Sequence, residues 1–182
     1  MATINSEILL NNLENQVESH INDAVGIFQN LSTEVLLQPS ASGGWSIAQC
    51  LEHLNSYGDY YLPEFEKRLS QSTDNQTPAS FKSTWLGKLA IDSMNPTTGK
   101  KKFKAFKNHT PASNLDAQKV VAKFINQQEQ LLQIIRDART KNIQKIKIPI
   151  SIAKFIKLNL GDALQFLIVH NERHIQQAKR NL

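Results

Sequence analysis

Near the C-terminal end of the chain, the stretch "VHNERHIQQ" places His170 and His174 four residues apart. On a helix that spacing puts both imidazoles on one face, about 6 Å of rise apart. Two neutral imidazoles so placed suit a single divalent cation. The competing reading is a pair of core histidines, each bonded to a carbonyl or carboxylate, because an unpartnered buried nitrogen costs on the order of 1–3 kcal/mol. Three further histidines are present: His20, His53 and His109. His53 lies among Leu51, Leu54 and Tyr57, the same apolar setting as the C-terminal pair. Three inward histidines from two helices would supply three neutral nitrogen ligands, the donor set of catalytic zinc sites that keep a fourth position for water. His20 and His109 are read as core histidines: nothing in the sequence pairs with His20, and His109 lies in a basic stretch.

No general base or nucleophile stands out around these three. Tyr57, one turn after His53, and Gln49, one turn before it, are the candidates for a catalytic or orienting role. Glu52 is next to His53, and Glu172 lies two residues from both His170 and His174; offsets of about 100° and 200° around a helix turn both away from the ligands, to be solvated or paired on the surface. Arg173 follows His170 by three and reaches either the rim of the site or the surface. Cys50 is read as a small core residue rather than a nucleophile.

The elements that must position these residues are helical. Apolar residues at Leu9, Leu10, Leu13, Val17, Ile21, Ala24, Val25 and Phe28 predict a first long helix over about 6–31. Ser46 and Gln49 form a capping box, flanked by Trp45 and Cys50 as a hydrophobic staple, and predict a second helix from there to near Ser70 with Pro63 inside it. "TWLGKLAIDSM" predicts a short helix. Leu115 to Thr140 carries a third long amphipathic stripe, with Asn114 as its cap. "IQKIKIPI" alternates and predicts a short extended segment, and a last helix runs from about Gly161 to Arg180. Four long amphipathic helices with long connections predict an all-α four-helix bundle, folded as a single domain over residues 1–182.

Composition narrows the class. The chain has 182 residues, 40% hydrophobic and 20% charged, with one cysteine, which excludes an internal disulfide framework. No run reaches the roughly 18 apolar residues of a membrane span, and the N-terminus lacks a signal-peptide pattern, so a cytoplasmic protein is expected. The net charge of +5 belongs to one segment: without the five lysines of "KKKFKAFK", the chain is formally neutral.

"GGWSIAQCLEHL" followed far downstream by "VHNERHIQQAKR" resembles the DinB/YfiT-like superfamily. The shared features are the Trp-Ser at the start of the helix, the histidine seven residues beyond that serine, and a last helix with two histidines at i and i+4 and a glutamine soon after. "IKIPI" and "LNLGDALQFLI" before that helix are also similar, and the resemblance covers nearly the whole chain. It implies a four-helix bundle in which His53, His170 and His174 bind a divalent metal, commonly zinc or nickel. It also implies an enzyme acting on a small-molecule substrate, either a thiol S-transferase using a low-molecular-weight thiol or a hydrolase, and a homodimer.

Two other readings compete. One is a bundle whose metal site is structural or vestigial. The other is a nucleic-acid-binding module using the basic loop 100–107, with Phe103 and Phe106 stacking on bases while lysines meet phosphates; nucleic-acid binders more often spread positive charge over a groove or helix face. The bland alternative for that loop is a solvated segment whose two phenylalanines dock on the bundle. A third use is holding the anionic groups of a substrate above the metal.

Overall fold

The computed structural model describes residues 3–41, 43–97 and 104–182. Its elements run β1 (Thr3–Asn5), α1 (Ser6–Gly26), α2 (Thr33–Leu37), α3 (Ile47–Gln71), β2 (Ser80–Lys82), α4 (Trp85–Met94), α5 (Ala117–Ala138), β3 (Lys147–Ile150), β4 (Ala153–Asn159) and α6 (Leu160–Lys179). The chain is mostly helical. α1 and α3 each pack against both α5 and α6, and α4 lies on α6. Among the described residues no helix is long and apolar enough to cross a membrane.

Local chemistry explains most helix boundaries. Ser46 starts α3 with the expected capping box: its hydroxyl accepts from Gln49 N at 3.2 Å, and Gln49 Oε1 accepts from Ser46 N at 3.1 Å. α1 ends at Gly26, several residues before the predicted end. There the Asn30 side chain donates to the carbonyls of Val25 and Gly26, and the chain tightens into a 3-10 turn at Phe28–Asn30. α5 is capped by Asp116, which accepts from Lys119 N at 3.2 Å, and not by Asn114. Asp116 won because it sits three residues before a free N–H of the first turn.

The all-α expectation is corrected by two antiparallel strand pairs. β1 pairs with β2, and β3 pairs with β4 as a hairpin with an irregularity at Pro149/Ile150. The extended segment read from "IQKIKIPI" is β3; its partner β4 and the pair β1–β2 were not foreseen. Nor was α2, a single turn capped by Ser32. Of the basic loop 100–107, residues 100–103 lie outside the described residues; the remainder enters a 3-10 turn at Lys107–His109. Phe106 is more than half exposed, so it does not dock on the helices as the bland reading required.

The apolar core is divided. One cluster holds Leu13, Val17, Tyr61, Phe65, Phe81, Leu131, Leu164 and Leu167, with their neighbours. A second holds Phe28, Leu36, Ile47, Leu51, Phe124 and Ile175. Each fully buried aliphatic or aromatic side chain contributes roughly 1.5–3 kcal/mol, so both clusters stabilise the helix packing. Along every long helix the switch from one cluster to the other is marked by buried polar residues: His20 on α1, His53 and Asn55 on α3, Gln127 and Gln128 on α5, His170 and Asn171 on α6. These form a polar layer across the middle of the helices. Asn171 Nδ2 donates to Gln128 Oε1 at 3.2 Å, Asn55 Nδ2 donates to the Val120 carbonyl at 3.1 Å, and Gln127 Nε2 donates to the Asn55 carbonyl at 3.2 Å.

Candidate metal centre

The polar layer contains the histidine cluster. The capping box fixes where α3 begins, and from it Gln49, His53 and Tyr57 follow at one-turn intervals. On α6, His170 and His174 stand one turn apart on the face toward α3. His53 and His170 are buried, and His174 is partly exposed. One donor atom from each of the three lies within 4.8 Å of the others. His53 Nε2 and His170 Nε2 face each other at 3.2 Å, near the ~3.4 Å edge of a tetrahedral site with ~2.1 Å bonds.

Hydrogen bonds on the far side of two of the rings aim their lone pairs. His53 Nδ1 donates to the His109 carbonyl at 2.6 Å, and His174 Nδ1 donates to Gln177 Oε1 at 2.9 Å. A proton held on Nδ1 leaves the Nε2 lone pair directed into the cluster. His170 Nδ1 is buried with no partner, so the tautomer of this ring is set by what meets its Nε2. The donor set therefore fits a divalent cation: three imidazoles, two of them already in the ligating tautomer.

Burial reinforces this. It lowers the His53 pKa to about 4, and it lowers that of His174 to about 3 with His53 adding to the effect. His170 is pushed well below the ordinary histidine value by burial and then by its two histidine neighbours. All three are neutral at pH 7 and available as ligands. The charged side chains that bear on His170 and His174 are Arg173 and, for His174, Arg180. Glu172 is partly exposed and accepts from His20 Nε2 at 3.0 Å, so His20 is the carboxylate-bonded core histidine expected, with a partner the sequence did not identify. A cation here would keep nearly its whole charge.

Two aromatic walls enclose the cluster. The Trp45 ring lies 4.8 Å from His53 and 5.8 Å from His174; Tyr57 lies 4.5 Å from His170 and 5.1 Å from His53. Burial raises the Tyr57 phenol to about 12, which favours its protonated form at neutral pH. Gln49 is committed to the cap, and its Nε2 donates to the Ala112 carbonyl at 3.4 Å. Cys50 is buried, and burial pushes its thiol to about 12. Arg173 reaches α4, donating to the Ser93 carbonyl at 3.3 Å. His109, read only as a core histidine, is buried against this site; it was missed because its contact to His53 is made by a backbone carbonyl 56 residues away.

Fold and site together define a mostly helical protein with a three-histidine group, two of its members buried and one partly exposed, able to hold a metal ion. The chain belongs to the DinB superfamily, which it matches over residues 16–178. No curated protein shows a significant match to the chain, and no solved structure does.

Proposed function

We propose that this protein is a metal-dependent enzyme in which His53, His170 and His174 bind one divalent cation, zinc or nickel, within a four-helix bundle that forms a single domain. The observation that carries the reading is the convergence of three neutral imidazoles, two with lone pairs directed inward by Nδ1 hydrogen bonds, in the polar layer between the two apolar clusters. When bound, a cation held by neutral ligands lowers the pKa of a coordinated water or stabilises a thiolate at neutral pH. The chain's own residues fit that use. Arg173 and Arg180 add positive charge beside the ligands, and Trp45 and Tyr57 shield them from bulk water. The reaction class is attack of a thiol or water on a small electrophilic substrate, thiol S-transferase-like or hydrolase-like, with a low-molecular-weight thiol as co-substrate in the first case.

Metal content tests this, measured by inductively coupled plasma mass spectrometry on untagged protein purified without chelator, with His170→Ala alongside. Near one equivalent of zinc or nickel, lost in the variant, supports the site and directs screening toward thiols and electrophiles. Protein that neither carries nor takes up either metal overturns it.

A further inference from the structure

His109 ends the 3-10 turn at Lys107–His109, and its imidazole is buried between two hydroxyls. Nδ1 lies 2.9 Å from Ser56 Oγ, and Nε2 lies 3.1 Å from Ser151 Oγ. The Ser56 hydroxyl already donates to the His53 carbonyl at 2.7 Å. A hydroxyl carries one proton, so Ser56 can only accept from His109. The network thus assigns the His109 proton to Nδ1 and leaves Nε2 to accept from Ser151. The backbone carbonyl of the same His109 accepts from His53 Nδ1. His109 therefore grips His53 at both ends: its carbonyl takes the proton of the His53 ring, and its ring holds the hydroxyl bonded to the His53 carbonyl.

The grip joins three segments remote in sequence. Ser56 is on α3, His109 on the turn, and Ser151 between β3 and β4, where its N–H donates to Tyr61 Oη at 3.3 Å. The His109 ring also stacks on Tyr57 at 3.8 Å. Among the described residues of this stretch, Lys104, Phe106 and Lys107 are solvent-exposed, and the Ala112 carbonyl accepts from Gln49 Nε2. The imidazole is thus an anchor of the carbonyl that orients His53.

We propose that His109 is a positioning residue of the metal centre: anchored by Ser56 and Ser151, it fixes its own carbonyl against His53 Nδ1 and so locks His53 in the tautomer that presents Nε2 to a cation. This rests on the reading of His53, His170 and His174 as ligands. Outer partners of this kind typically change metal affinity about 10- to 100-fold.

The test measures zinc affinity by chelator competition and, in metal-free protein, the His53 tautomer by long-range proton–nitrogen correlation spectra. His109→Phe keeps a ring against Tyr57 and loses both serine bonds. His109→Asn keeps an amide N–H that can replace Nδ1 toward Ser56. His109→Phe is expected to weaken zinc binding about 10- to 100-fold and to convert His53 from the Nδ1–H form to a mixture, with His109→Asn restoring most of the affinity. If His109→Phe does not fold, Ser56→Ala carries the same test with a several-fold loss. Unchanged zinc affinity and unchanged His53 tautomer in a variant that merely melts lower would overturn the inference alone. Wild-type protein that binds neither zinc nor nickel would remove the metal reading and the inference with it.

Discussion

Asp162, in the first turn of α6, holds α4 in place, and truncating it should be costly. The side chain is fully buried. Its Oδ2 accepts from Thr84 N at 3.0 Å and from Thr84 Oγ1 at 2.8 Å, while Thr84 Oγ1 caps α4 by accepting from Gly87 N at 2.9 Å. One carboxylate thus sits at the N-termini of two helices, where their dipoles favour it. Asp162→Ala removes two hydrogen bonds to a charged acceptor, about 1.5–3 kcal/mol each. It also relieves Oδ1, which is buried without a partner, and that relief returns about 1–3 kcal/mol. The loss outweighs the relief, leaving a destabilisation of about 2–3 kcal/mol, or a melting temperature lower by about 5–10 °C in a chain of this size. Thermal denaturation followed by circular dichroism reads it, and a double-mutant cycle with Thr84→Ala should show coupling above about 1 kcal/mol. An Asp162→Ala variant that melts with wild type, or two substitutions that simply add, would refute this account of how α4 docks.

Other outcomes follow from the same geometry. Zinc at about 100 times its dissociation constant should stabilise wild type by about 2.7 kcal/mol, raising its melting temperature about 5–11 °C, and should leave His170→Ala unmoved in a thermal-shift assay. Glu14 is held below the usual carboxylate range by hydrogen bonds from Arg136 and Arg139. Its contribution, about 1 kcal/mol, is present above the ordinary carboxyl pKa and lost as pH falls through the lowered one. The stability gap between wild type and Glu14→Gln should therefore be constant at neutral pH and close below about pH 4. In Gly58→Ala the new Cβ would lie 2.2 Å from Gln127 Oε1, whose amide is tied to the Asn55 carbonyl and Asp59; losing those bonds outweighs the ~1 kcal/mol gain in helix propensity, so urea denaturation should show a net loss of about 1 kcal/mol. Cys50 should resist a thiol reagent at pH 8 until the protein unfolds, since burial keeps it as the thiol.

What the sequence determined by itself was what short-range geometry controls. The Ser46–Gln49 capping box sets the start of α3, and the helical repeat then places Gln49, His53 and Tyr57 on one side of it. The same repeat aligns His170 with His174 on α6, while His53 was joined to them by its apolar setting and by the family resemblance. The spacings within each helix depend only on rise and turn per residue, which hold wherever the helix sits. Tertiary structure alone decided the rest. β1 and β2 are three residues each and exist only as partners of one another, and β4 is extended because β3 lies beside it. His20 found Glu172 across 152 residues, and His53 found the carbonyl of His109, a group every residue carries and no sequence pattern can single out. Apolar periodicity showed which faces turn inward, but the division of the core by a polar layer appeared only when four helices brought their buried polar residues to one level. Each such group needs a partner once water is removed, and which partner it meets depends on how the helices pack, not on its neighbours in the chain.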